Sequence, residues 1–535
     1  MPWKIENGPA IETERHFENR LVKCFAERPK SLDQLLSDAV RRNGDGDAIV
    51  DGDVRISYDT LDDIVDRIAA HLEVLGVAKG DRVALLLGNS AEFIYLILAA
   101  ARIGAITVPI NVREQAPEIA YILDHAGAKV LVLDESVSSR LPDLSRIEHR
   151  FAVGGGIDGD VASPFDELLS EKTAPSPAQA GEEDEEDIAV ILYTSGTTGR
   201  PKGAMLTNFN IVHSVMHYEL CMDLTAAERS VLAVPASHVT GLIANILTMV
   251  RVAGCNLILR QFETAAFLDL AARENMTHTL MVPAMYNLCL LRADFENYAL
   301  SSWRTGGYGG APMPEATIAA LAERLPNLGL INAYGSTETT SPSTLMPLGE
   351  TARRPDSIGI PVPCADIRIV DSKGQDVAYD QAGEIWIAGP MVVPGYWNDP
   401  LKTAAGFEGG YWKSGDIGSM AADGFVRILD RINDVINRGG YNIYSAEFEN
   451  VLSHHPDIIE CAAVAHPDEI LGEKIHLFVR TKTDDLAAEA LCRFCAEHLA
   501  DYKLPDFVTF LEEPLPRNAN GKVLKAELRG LLIAQ

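Results

Sequence analysis

Over roughly the first third of the chain, short apolar runs of strand length alternate with longer runs of helical period. LDDIVDRIAAHLEVLGV places its apolar residues at helical spacing, and DRVALLLGNS is a strand-like run ending in a turn. EFIYLILAAARIG is helical again, while AITVPIN and KVLVLDES are short strands. This rhythm predicts βαβ units around a mostly parallel sheet. A second α/β stretch follows, in which MTHTLMVPAMY and LGLINAYG each carry a strand. After Asp356 the pattern turns to short strands and turns (ADIRIVDSKG, GEIWIAGP, FVRILD), as expected of a β-rich subdomain. Beyond Arg431, AEFENVLSHHP reads as helix, IIECAAVAHP and KIHLFVRTK as strands, and Ala487 to Leu499 as helix. That makes an α+β domain of about a hundred residues, enough to fold independently.

The expected class is therefore α/β: a large N-terminal domain of α/β subdomains with a β-rich subdomain, then a small α+β C-terminal domain. A chain of 535 residues is too long for one core, which agrees with this division. The run EKTAPSPAQAGEEDEED, Glu171 to Asp187, breaks the rhythm as an exposed connector. A net charge of −30 would repel polyanions, so nucleic acid and anionic membrane surfaces are excluded as broad partners. The start, MPWKIENGPAIETERHF, lacks the apolar core of a secretory leader, and IYLILAAARIGAITVPI, with Arg102 inside it, falls short of a clean membrane span. A cytoplasmic protein without stable membrane insertion is expected; self-association into a homodimer is left open. The eight cysteines show no disulfide spacing. Cys492 and Cys495 form a lone CxxC on an amphipathic helix with no second ligand pair nearby, so metal binding there is not expected.

The connector leads into DIAVILYTSGTTGRPKGAML, where an apolar strand meets a polar glycine loop. Glycines let backbone N–H groups approach an anion closely. Thr194, Ser195, Thr197 and Thr198 add hydroxyl donors, Gly196 and Gly199 the close approach, and Lys202 a point charge. The composition suits a polyphosphate. It is not the GxxxxGK[ST] loop, because Lys202 follows Pro201 and precedes Gly203.

With that loop, the sequence resembles the adenylate-forming acyl-CoA synthetases, relatives of firefly luciferase and of peptide-synthetase adenylation domains. The loop signature SGTTGxPKG is matched without a gap, and the other family motifs follow in order along essentially the whole chain. NAYGSTETT resembles the adenine and magnesium motif. The resemblance implies that Tyr334 stacks on adenine beside Asn332, Ala333 and Gly335, that Thr337 contacts phosphate, and that Glu338 holds Mg²⁺ through oxygen ligands. GGAPMP, with Gly310, Ala311 and Pro312, looks like the segment passing the adenine ring. Asp416 of the SGD run resembles the aspartate that binds the ribose hydroxyls, and Arg431 the arginine that also reaches the ribose. Lys522 in PRNANGKVLK matches the catalytic lysine of the small, mobile domain. Gly439 and Gly440 in RGGYN would line the pantetheine channel of coenzyme A.

The resemblance further implies a division into an adenylation domain over 1–430, a hinge over 431–434 and a small domain over 435–535. The hinge position falls on Asn433, where the family usually has Asp or Lys. Asn tolerates unusual backbone angles well. ATP, Mg²⁺ and coenzyme A are the implied cofactor and co-substrates. The implied activity is an AMP-forming acid–thiol ligase: ATP and a carboxylic acid give acyl-AMP and pyrophosphate, and the thiol of coenzyme A then gives acyl-CoA and AMP.

The acid pocket is expected near PASHVTGL, with His238 facing the acid or serving structurally. Met281 and Tyr308 suggest an apolar cavity, and Gly306, Gly307 and Gly309 are expected to leave room in it. The expected acid is a hydrophobic monocarboxylate, aromatic or medium-to-long aliphatic. A free-standing acyl-AMP ligase that passes the acyl group to a carrier protein or other acceptor is the alternative. A silent nucleotide-binding regulator is disfavoured by the presence of both Lys202 and Lys522.

Overall fold

The computed structural model describes residues 3, 8–155, 161–170, 184–194, 200–482, 486–517 and 523–533. They fall into two compact units, one of residues 1–367 and 387–412, the other of 368–386 and 413–535.

The first unit holds two large sheets. One has seven strands in the order Lys202–Thr207, Ile188–Thr194, Ile106–Pro109, Arg82–Leu86, Ala128–Asp134, His149–Val153, Ser163–Pro164. All its neighbours run parallel except the first pair. The other has nine strands, ordered Ile360–Pro361, Thr344–Leu345, Gly329–Tyr334, Thr305–Tyr308, His278–Met281, Arg229–Leu232, Cys255–Ile258, Asp47–Asp51, Val54–Ser57. Its middle strands are parallel and its edge pairs antiparallel. The apolar runs read from the sequence thus become parallel strands covered on both faces.

The helix Ala91–Arg102 shows why one such run is helix. Ser90 caps it by accepting from the Phe93 N–H, and every residue from Phe93 to Ala100 is buried. Its last residue, Arg102, reaches the carboxylates of Asp33, Asp62 and Asp66 at 2.6–2.7 Å. Among the described residues, no helix is long and apolar enough to cross a membrane.

An element absent from the sequence reading is the antiparallel hairpin Ile11–His16 with Arg20–Phe25. Just after it, the Arg28 guanidinium, its side chain 1% exposed, forks onto Glu14 and Glu185 at 2.7–2.9 Å. It thereby ties the hairpin to the segment entering the strand Ile188–Thr194.

In the second unit the strands Gly472–Thr481 and Ile458–Asp468 pair antiparallel, with Phe507–Phe510 added parallel. The helices Ser445–Ser453 and Ala488–His498 share one core that includes Phe448, Leu491 and Cys495. The helix Lys525–Ile533 places Leu528 in a separate core with Val464 and Phe478. Cys495 is buried as core and Cys492 is half-buried, each with its thiol pKa pushed up by burial. Both therefore behave as small apolar side chains.

Candidate active site

The glycine loop joins two antiparallel strands. Thr194 ends the first and Lys202 begins the second, and the two residues are paired directly. Ser195, Gly196, Thr197, Thr198 and Gly199 lie outside the described residues. The strands that flank the loop pair with each other, whereas a Walker loop leads from a strand into a helix. Lys202 Nζ lies 4.7 Å from the centroid of the Tyr396 ring, within cation–π reach.

The remaining candidates of the first unit gather at one edge of the nine-stranded sheet. Met281, Tyr308 and Asn332 are in register on three adjacent parallel strands, at or near their carboxyl ends. Ligands of open parallel sheets bind at that edge. From it emerge Gly309 to Pro312, with Gly310 at φ 78°, and the segment Tyr334 to Glu338. Ala333 is buried in its strand and Tyr334 is half-buried at the strand's end. Gly335 is closely backed by Ser341 and Pro342. Thr337 and Glu338 sit in a single 3₁₀ turn, each 7% exposed.

The Glu338 carboxylate is held from both sides. Oε1 accepts from the Tyr396 hydroxyl at 2.8 Å, and Oε2 accepts from the Ser336 hydroxyl at 2.7 Å. No ion pair to it is present among the described residues. A buried carboxylate without a countercharge, each oxygen keeping a free lone pair, fits the oxygen-donor role expected for a hard divalent cation. Tyr396 itself escaped the sequence reading. Its only signal was an aromatic residue in the turn-rich run PGYWNDP.

His238 lies beyond the carboxyl end of the strand Arg229–Leu232. The Thr240 N–H donates to its Nδ1 at 3.2 Å, which leaves Nε2 as the protonated nitrogen. Burial lowers its pKa to about 4, so the ring is neutral near pH 7. The loop before it is anchored by Asn89, another residue the sequence did not single out. The Asn89 amide donates to the carbonyls of Leu232, Val234 and Leu259 at 3.0–3.2 Å and accepts from the Ala236 N–H at 2.8 Å. Met281 and Tyr308 are fully buried, and burial pushes the Tyr308 phenol up to about 12.

The room expected beside the glycines is not there. A Cβ on Gly306 would meet Leu328 and the Tyr286 hydroxyl at 3.0 Å, and one on Gly307 would meet Leu280 at 2.8 Å. On Gly309 it would strike the Ala333 carbonyl. These glycines let neighbouring core side chains and strands close up; they do not hold a cavity open on that side.

In the second unit Asp416 and Arg431 face each other across the antiparallel pair Tyr411–Met420 and Val426–Arg431, with Arg431 Nε 2.9 Å from Asp416 Oδ1. Asp416 is 4% exposed. The Asn433 carbonyl accepts from Arg529 at 3.0 Å, and Asp434 pairs with the same guanidinium at 3.1 Å. Gly439 and Gly440 take φ of 60° and 89°, backbone that glycine adopts without strain. They form the turn between the short strands Ile436–Arg438 and Tyr441–Ile443. Lys522 lies outside the described residues.

A strand pair flanking a glycine loop, a buried carboxylate at a carboxyl sheet edge and a smaller α+β unit match the fold expected of adenylate-forming enzymes. The sequence profile of the AMP-binding enzymes matches residues 36–397, and that of the AMP-binding enzyme C-terminal domain matches 447–522. The chain belongs to the AMP-binding enzyme family. It is 34% identical to a long-chain-fatty-acid–CoA ligase of Mycobacterium tuberculosis, over 89% of this chain and 93% of that protein. It is 33% identical to a feruloyl-CoA synthase of an Amycolatopsis species, over 90% and 95% of the two chains. Among solved structures it resembles the o-succinylbenzoate CoA synthetase of Bacillus subtilis in complex with its acyl-adenylate intermediate. There the TM-score is 0.81 at 28% identity, over 92% of this chain and 97% of that one. The same synthetase bound to ATP and a magnesium ion gives a TM-score of 0.82 at 29% identity, over 92% and 99% of the two chains.

Proposed function

We propose that this chain is an AMP-forming acid–CoA ligase. The observation that carries the proposal is the placement of Tyr334, Thr337 and Glu338 at the carboxyl edge of the nine-stranded sheet, with Lys202 and Glu338 both seated on Tyr396. In the first step the acid carboxylate attacks the α-phosphorus of ATP. A carboxylate–phosphate bond forms and the bond to pyrophosphate breaks. Two anions must approach, so the step needs positioned cations and dipoles and no protein nucleophile.

Thr194, Ser195, Gly196, Thr197, Thr198, Gly199 and Lys202 hold the phosphates. Tyr334 stacks on adenine, flanked by Gly310 to Pro312 and by Asn332, Ala333 and Gly335, and Thr337 contacts phosphate. Asp416 and Arg431 take the ribose hydroxyls, and Lys522 meets the charge that develops on transfer. Mg²⁺ held by Glu338 would supply divalent screening of the phosphate charge. In the second step the thiol of coenzyme A attacks the acyl carbon and AMP leaves. Gly439 and Gly440 admit the pantetheine arm after residues 435–535 turn about Asn433, within the hinge 431–434, relative to the domain 1–430. The ligands ATP and coenzyme A fit a cytoplasmic location.

The acid is a hydrophobic monocarboxylate, aromatic or medium-to-long aliphatic. Buried Met281 and Tyr308 support this, with His238 Nε2–H as a neutral donor. So do the two sequence relatives named above, one a long-chain-fatty-acid–CoA ligase and the other a feruloyl-CoA synthase. The test is a panel of acids assayed for pyrophosphate release and, by mass, for the CoA thioester. Preference for small polar or dicarboxylic acids would overturn the acid class. Adenylate without thioester would overturn the CoA acceptor in favour of an acyl-AMP ligase.

Asp416→Ala removes an acceptor for the ribose hydroxyls and leaves Arg431 without its partner. An increase of about tenfold in the KM for ATP is expected, the scale of one charged hydrogen bond. ATP kinetics unchanged from the parent would remove Asp416 from the nucleotide site.

A further inference from the structure

Two of the residues assigned above to phosphate and metal are bound to the same side chain. The Tyr396 hydroxyl donates to Glu338 Oε1 at 2.8 Å, and the face of its ring lies 4.7 Å from Lys202 Nζ. The ring is 4% exposed and packs edge-on against Phe407 at 5.6 Å.

The backbone around it is stitched to the same two segments. Ala204, two residues after Lys202, forms an antiparallel bridge with Tyr396. The Met205 N–H donates to the Gly395 carbonyl at 3.1 Å, and the Trp397 N–H donates to the Gly203 carbonyl at 2.7 Å. On the other side, the Val393 N–H donates to the Glu338 carbonyl at 3.0 Å. The Tyr396 N–H is itself held by the Thr403 hydroxyl at 2.9 Å. The segment Val393 to Trp397 therefore runs between the strand that starts at Lys202 and the turn that carries Glu338, bonded to both. A tyrosine that served only to fill the core would need neither its hydroxyl on a carboxylate nor its ring face under an ammonium group.

We propose that Tyr396 is a positioning residue for adenylate formation, fixing the Glu338 carboxylate and the Lys202 ammonium relative to one another so that both meet the triphosphate in one geometry. This rests on the reading of Glu338 and Lys202 given above. Tyr396 touches neither nucleotide nor acid. It acts by restricting two long side chains that would otherwise lose rotamer freedom on binding, and preorganised charge needs no rearrangement as the reaction proceeds.

The test uses the full chain with Tyr396→Phe, which keeps the ring, its packing on Phe407 and its face toward Lys202, and removes only the hydroxyl. The Mg²⁺ concentration for half-maximal AMP formation is expected to rise about tenfold, the scale of one hydrogen bond to a charged group. The KM for the acid, and the rate of thioester formation from a supplied acyl-adenylate, should stay at the parent values. Calorimetry of ATP binding, with and without Mg²⁺, gives a readout independent of turnover: Y396F should weaken binding with Mg²⁺ present and leave Mg²⁺-free binding unchanged. Y396L, which also removes the ring under Lys202, should weaken Mg²⁺-free binding as well. In the double variant Y396F/E338Q the two losses should not add, because both act through one carboxylate.

Parent-like Mg²⁺ dependence in Y396F, with E338Q impaired, would overturn the role of Tyr396 and leave the reading of Glu338 standing. Parent-like Mg²⁺ dependence in E338Q would overturn that reading, and the proposal with it. Additive losses in the double variant would also overturn the proposal, since Tyr396 would then act by a route that bypasses Glu338.

Discussion

Lys522→Ala is expected to slow acyl-adenylate formation by about a hundredfold or more while thioester formation from a supplied acyl-adenylate continues near the parent rate. The reason lies in what each half-reaction asks of a cation. In the first, negative charge grows on the oxygen between the α- and β-phosphates as pyrophosphate departs. A lysine placed against that charge lowers the barrier by an amount water cannot replace. In the second, the leaving group is AMP and the attacked atom is an acyl carbon, so a cation positioned for pyrophosphate departure contributes nothing. The measurement is single-turnover kinetics of the two half-reactions taken separately. Equal losses in both would refute the division of labour, and no loss in either would remove Lys522 from the chemistry.

Arg28→Met is expected to cost about 2–3 kcal/mol of stability, the scale for losing charged hydrogen bonds to part-exposed carboxylates that keep His16 and Lys30 as partners. The Arg28 side chain is 1% exposed and donates twice to Glu14, twice to Glu185 and once to the Phe25 carbonyl, with a longer contact to Cys24 Sγ at 3.7 Å. Methionine fills the volume but satisfies none of these acceptors. The effect carries a pH signature. Hydrogen bonds from Arg28 hold the Glu14 carboxyl well below the usual carboxylate range. A group whose folded pKa is depressed contributes its full stability above its unfolded value, here about 4.5, and loses it as the pH falls further. The parent should therefore lose stability steeply below about pH 4.5, and R28M less steeply. Guanidinium titrations at pH 7 and across the acid range read both effects. A midpoint at pH 7 equal to that of the parent would show that the fork adds nothing.

Much of the fold was legible because burial on both faces leaves a mark in the sequence. ALL in Arg82–Leu86 and VLVL in Ala128–Asp134 are uninterrupted apolar runs, and both proved to be interior parallel strands. The hairpin Ile11–His16 and Arg20–Phe25 left no such mark. Its first strand, IETERH, is mostly exposed and charged, and antiparallel pairing at a surface needs little apolar content. The glycine loop and the segments Gly309 to Pro312 and Tyr334 to Glu338 were legible because each lies where a strand ends, and those ends show as abrupt changes from apolar to polar and glycine residues.

Gly306 and Gly307 mark where such reading stops. A missing Cβ says that something comes close, and only tertiary structure says whether that is a ligand or, as here, Leu280, Leu328 and the Tyr286 hydroxyl. Tyr396 was invisible for a related reason. Its partners Lys202 and Glu338 are far from it in sequence, and nothing local distinguishes its hydroxyl from that of any other tyrosine in a turn.

The second unit is built from two stretches of chain, 368–386 and 413–535, with 387–412 between them belonging to the first. That arrangement sets an order of events on the ribosome. The first unit cannot close until its last piece, which includes Tyr396, has emerged, and by then residues 368–386 are already outside with most of their own unit still unsynthesised. At roughly 5–20 residues per second, those strands wait about 7–30 s for the rest of the unit. Leu528, a core residue of that unit, arrives only in the final helix Lys525–Ile533. A fragment cut at Arg431 would separate the pair Tyr411–Met420 and Val426–Arg431 from the helix and sheet that complete their unit.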